Sequence, residues 1–144
     1  MIKPLISFLF CLMFYSCLEP NQQQDKDKER IDNVCDKFML AFSKGLYQDA
    51  MDLVRKNSVL EPEKIDTLQT KIEQQAISVF PSFGRMLSSE FILERKIKDF
   101  LSKRFYILKF EKYPLRFDFT LYKSNKGWII TAFSFDSDLI QLFY

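Results

Sequence analysis

The sequence predicts an α+β domain, with about three N-terminal helices packed on an antiparallel sheet of about four strands. Apolar residues recur every three or four positions as far as about residue 80 and alternate singly from about residue 86, so the period changes once from helix to strand. Turn residues bound the second half, with Gly84 before it and Ser124-Asn125-Lys126-Gly127 inside it. At 144 residues, 47% apolar and 16% aromatic, the chain can fill one sizeable core, and its length leaves a second domain unexpected.

Each element has its own signal. Ile31, Val34, Cys35, Phe38, Met39 and Phe42 form one apolar helix face, which Gly45 can terminate. Tyr47, Ala50, Met51 and Val54 continue in a shorter helix. A third begins near Pro62, since proline suits a first turn, and carries Ile65, Leu68, Ile72, Ala76, Val79 and Phe80 until Pro81 and Gly84 stop it. From Met86 to Ile97, the residues Leu87, Phe91, Leu93 and Ile97 point one way, although Ser89 and Arg95 blur the alternation. Residues 103–112 are apolar on both faces, as in a central strand. Leu115, Phe117, Phe119 and Leu121 alternate with Arg116, Asp118, Thr120 and Tyr122, and Trp128–Phe135 reads as the last strand.

The N-terminus reads as a processing segment. Lys3 precedes fourteen uncharged residues, Leu5–Leu18, too few for a membrane-spanning helix of about 20. The run is apolar all round, which argues against an amphipathic helix of the core, and it resembles the h-region of a secretory signal. Met13-Phe14-Tyr15-Ser16-Cys17 resembles a bacterial lipobox: Ser16 fits its place, whereas Phe14 and Tyr15 depart from the usual residues. The resemblance implies a signal peptide over 1–16 and lipidation at Cys17, with simple secretion or an uncleaved signal anchor as the alternatives. Residues 17–28, with Gln22, Gln23 and Gln24 ahead of alternating charges, are expected to form a polar tether, leaving 29–144 as the domain. The expected location is the bacterial cell envelope, on either membrane, or the periplasm if the chain is secreted.

Little catalytic chemistry is expected. The chain has no histidine, which removes the commonest general base and every Ser-His or Cys-His nucleophile pair. Cys35 lies on the apolar helix face and reads as a core thiol. Asp25, Asp27, Glu29, Asp32 and Asp36 lack the glycine of a calcium loop and read as a solvated helix start, so neither a metal nor a cofactor is expected. Asp118, sharing a face with Arg116, reads as half of an ion pair on a wet sheet face rather than as a buried base.

Charge is uneven, with ten basic and three acidic residues over 95–126. Arg95, Lys96, Lys98, Lys103, Arg104, Lys109, Lys112 and Arg116 interleave with Phe100, Phe105, Tyr106 and Phe110. A solvated sheet face is the simplest reading, ahead of attraction to anionic headgroups or an acidic partner. Nucleic acid is not expected, because no RNA-binding signature strand is present. Leu139, Ile140, Leu142, Phe143 and Tyr144 either cap the sheet or stay exposed for a partner.

One family resemblance emerges. Phe38–Ala50, with its Gly45-x-Tyr47-x-x-Ala50 turn, resembles the first helical hairpin of nuclear-transport-factor-2-like (cystatin-like cone) domains, and Lys126–Phe135 is similar to the final hairpin of small exported members. The resemblance covers roughly residues 29–138. It implies a strongly curved sheet and a cone between helices and sheet, filled by side chains or open to an apolar ligand. The expectation is a lipid-anchored, non-catalytic envelope module for an apolar small ligand or a protein partner, with a homodimer through the sheet as one form. The alternative it implies is an acid–base enzyme of the ketosteroid isomerase or dehydratase type, using an Asp and a Tyr in the cone.

Overall fold

The structure, a computed structural model, describes residues 20–144, with side chains from Lys26 onward. The expected signal segment and Cys17 lie outside the described residues. Three helices come first: α1 (Pro20–Ser43), α2 (Tyr47–Asn57) and α3 (Pro62–Ser78). A 3-10 turn, Phe80–Phe83, leads into four antiparallel strands, β1 (Met86–Ile97), β2 (Leu101–Phe110), β3 (Pro114–Ser124) and β4 (Gly127–Asp136), paired in chain order. The fold is α+β, with the helices packed on one face of the sheet.

The apolar stripe of α1 becomes the floor of the core: Ile31, Cys35, Phe38, Met39 and Phe42 are all buried. Gly45 ends the hairpin turn at φ +75, and the amide of Leu46 donates to the Ala41 carbonyl at 3.0 Å. Tyr47 covers the turn, its ring 4.9 Å from that of Phe42, while the small Ala50 is fully buried.

Helix α1 starts earlier than the tether reading allowed. It begins at Pro20, and the side chains of Asp27 and Lys28 have partners on the sheet. Asp27 accepts the Trp128 amide, Arg30 donates to the Trp128 carbonyl at 2.8 Å, and Lys28 pairs with Glu94 at 2.6 Å. Charges that read as solvated thus tie α1 to the first residues of β4 and the far end of β1. Gly127 (φ +116) is required here, because a Cβ would fall 2.5 Å from the Asp27 carboxylate.

Strict alternation holds through β2 and β3. Leu115, Phe117, Phe119 and Leu121 face the helices with Tyr106 and Leu108 of β2 and Trp128, Ile130 and Phe133 of β4. Phenylalanine rings fill the space between: Phe38 lies 5.1 Å from Phe119 and Phe42 lies 5.1 Å from Phe117. In β1, the shared face expected for Leu87, Phe91, Leu93 and Ile97 is corrected by register shifts at Met86/Ser88 and Phe91/Leu93. Phe91 pairs with Tyr106 on the helix side, whereas Leu93 pairs with Phe105 on the other, as a bulge at Ile92 requires. Strand β1 is an edge with no fully buried residue. The outer edge of β4 is partly closed by the Val59 amide, which donates to Ile130 at 3.2 Å.

Candidate functional site

Two polar assemblies flank the core, one on each face of the sheet. The inner one joins α1 to β1 and β2. Residues Asp32 and Asp36, one turn apart on α1, meet Arg104 from β2, each at 3.2 Å. The Tyr106 hydroxyl donates to Asp36, and Arg104 Nε donates to the Tyr106 oxygen at 3.0 Å. Lys28 bridges Asp32 and Glu94, and the Arg104 guanidinium stacks 4.4 Å over the Phe91 ring. Two sequence readings are corrected here. Asp32 is half-buried in a network rather than part of a solvated helix start, Asp36 joins that network while staying exposed, and Arg104 is buried on the helix side, not part of a solvated face. Parity could have found this, because Arg104 shares its side of β2 with Tyr106 and Leu108.

Burial raises the Asp32 carboxyl above its ordinary value, although Lys28 and Arg104 both oppose it. For Glu94, burial pushes the same way, but Lys28, Ser102 and Lys96 together outweigh it and hold the carboxyl below its ordinary value. Burial also raises the Tyr106 hydroxyl, helped by Asp36, so this phenol stays protonated. Desolvation pushes the Cys35 thiol up to about 12, with Arg104 opposing and Asp32 and Asp36 adding to the rise. Iodoacetamide at about pH 8 should therefore leave Cys35 unmodified in the folded protein and alkylate it in concentrated guanidinium, as read by peptide mass spectrometry. Rapid native alkylation would contradict that burial.

The outer face is less wet than its sequence implies. Asp118 lies opposite the aromatic row, as alternation requires, yet Arg116 and Asp118 are each only 2% exposed. Their cover comes from long side chains and from the C-terminal segment. Arg116 binds the Asp136 carboxylate at 2.6 Å and donates to the Asp138 carbonyl at 2.8 Å, which draws the chain across the strands. Asp118 takes Lys103 at 3.1 Å and the Ser134 hydroxyl at 3.0 Å, so it serves as a buried counter-ion. Phe105, also buried, lies beneath Arg95 at 5.4 Å and Lys103 at 5.3 Å. The terminal strip is anchored at Asp138 but leaves Ile140, Phe143 and Tyr144 exposed.

Beside Phe105 the outer face opens into a groove of about 460 Å³, floored by Phe105 and Leu101 and rimmed by Arg95, Lys96, Lys103 and Gln141. The groove lies towards the β1–β2 turn, the same end of the sheet as Gly127 and the docked first turns of α1. Among the described residues, no helix is long and apolar enough to cross a membrane. Comparison with protein-family models, curated proteins and solved structures returns no match for this chain.

Proposed function

We propose that the protein is a lipid-anchored cell-envelope module, held at a membrane through Cys17, that binds an apolar small ligand or a protein partner without catalysing a reaction. The groove on the outer sheet face carries this reading. It combines an apolar floor with converging cations, and its volume falls within the range of about 300–1,000 Å³ typical of small-molecule sites. The order of three helices and four antiparallel strands, and the Gly45-Leu46-Tyr47 turn, are compatible with a nuclear-transport-factor-2-like domain. The ring-filled interior moves the binding surface from the cone to the outer face.

The acid–base enzyme reading has the Tyr106–Asp36 contact in its favour. Against it, the Asp36 carboxylate is exposed and binds Arg104, and phenylalanine rings occupy the interior beside Tyr106.

Two experiments test the proposal. Cys17→Ala should release the protein from the membrane fraction and abolish labelling by radioactive fatty acid; retention of both would refute the anchor. Full-length protein extracted with its native membrane patch should carry a co-purifying ligand mass or partner in native mass spectrometry. Ile97→Asp, 60% exposed at the groove, should lose that companion, and Ile77→Asp, 81% exposed on α3, should keep it. A bare wild-type chain, or equal loss from both variants, would refute the binding-module reading.

A further inference from the structure

A like-charge contact lies in the groove. Arg95 and Lys103 are directly paired across β1 and β2, where two like charges destabilise a sheet. The apolar pairs Leu93–Phe105 and Ile97–Leu101 flank them along the same face. Lys103 has a counter-ion in Asp118 at 3.1 Å, and Lys96 leans on Glu94 at 3.8 Å. Arg95 has no carboxylate within 4.0 Å among the described residues, and its guanidinium rests on the Phe105 ring. With Lys103 neutralised by Asp118, the exposed Arg95 guanidinium is the cation of the pair left open to an incoming anion.

The open cation suggests the ligand's head. One exposed guanidinium with no carboxylate beside it can take one negative charge, and its planar fork matches a carboxylate in a two-point contact. The apolar floor calls for an apolar body. A groove of about 460 Å³, low in the range of small-molecule sites, suits one chain better than a two-chain lipid. We propose that this groove binds a long-chain monocarboxylate, with the head at Arg95 and the chain along Leu101 and Ile97. The inference rests on the binding-module reading and names its ligand class.

The test uses the full-length protein in phosphatidylcholine nanodiscs, with photoreactive hexadecanoic acid and the photoreactive alcohol of the same chain as probes. The acid should label peptides from residues 93–105 about tenfold more than the alcohol, the ratio that one charge-assisted contact supplies. Arg95→Gln should abolish that preference, and Lys71→Gln on α3, the same charge change at an exposed site, should leave it intact. Equal labelling by acid and alcohol, adducts confined to other peptides, or an unchanged preference in Arg95→Gln would overturn the assignment. If the acid fails while the native companion persists and still depends on Ile97, the carboxylate is wrong and the binding module stands. Loss of both results refutes the module itself.

Discussion

Phe38→Ala should lower the unfolding free energy by about 3–5 kcal/mol, the usual cost of removing a buried phenylalanine. Phe38 is fully buried, and its ring lies 5.8 Å from Phe42, 5.4 Å from Phe117, 5.1 Å from Phe119 and 5.7 Å from Phe133. Three of those neighbours sit on paired strands, which cannot move inward to close a cavity without breaking their ladder. A domain of this size has only about 5–15 kcal/mol in all, so the midpoint should fall by on the order of 10–20 °C. Guanidinium unfolding followed through Trp128, the single tryptophan and a buried one, measures the loss. Leu40→Ala, on the exposed side of α1, should stay within about 0.5 kcal/mol. A Phe38→Ala loss as small as that of Leu40→Ala would contradict the packing described.

Arg104→Met should cost a similar amount, about 3–5 kcal/mol, because removing one partner leaves buried charge uncompensated. Asp32 and Glu94 would then share Lys28, with Lys96 at 3.8 Å from Glu94, Asp36 would lose its cation, and the Tyr106 oxygen would lose its donor. The deficit should depend on pH. Glu94 titrates below its ordinary value in the folded chain, so its contribution is present above that value and is lost as pH falls through the folded one. Asp27 is also lowered: burial opposes the shift, and the Trp128 amide and Arg30 outweigh it, so it adds to the same acid loss. Asp32 works in the opposite direction, since its raised value means that protonation relieves a buried charge. The gap between wild type and Arg104→Met should therefore begin to narrow as acid neutralises Asp32, above the ordinary value of an aspartate, and narrow further only as pH falls below the ordinary value of a glutamate and protonates Glu94. Denaturant midpoints across that range measure it, and a constant gap would mean that Arg104 acts through packing alone. Above about pH 9 stability should decline, because the raised Cys35 thiol and Tyr106 phenol hold protons that the unfolded chain releases.

Period and punctuation were enough to read the architecture from the residues. The three helices, the four strands and the stripe Ile31–Phe42 all follow from the spacing of the apolar residues. The Phe91/Leu93 bulge was not legible, because a register shift is set by the partner strand and leaves at most a blur at Ser89 and Arg95. The two polar assemblies were hidden for a related reason. Asp32, Asp36, Arg104, Asp118 and Arg116 look like surface charge until the topology lays the α1 face against β2 and the C-terminal segment across β3. Parity does separate Arg104 from Lys103, but the basic residues read as one block conceal it. The groove depends on a pair, Arg95 and Lys103, fixed only by the register of β1 on β2.

The docking of α1 on β4 also governs when the chain can fold. Asp27 and Trp128 are 101 positions apart, and Phe38 reaches its full set of neighbours only once Phe133 is present. The meander closes through short hairpins, whose loops cost little entropy, so the sheet can assemble quickly and locally. The first helix emerges from the ribosome long before its partner strands; it can meet Tyr47 and Phe80 early, but it cannot finish burying its apolar stripe until β3 and β4 have followed. Completion of the fold thus waits for β4, and a chain truncated before Trp128 would be left with a sticky, partly unsatisfied helix rather than a smaller stable domain.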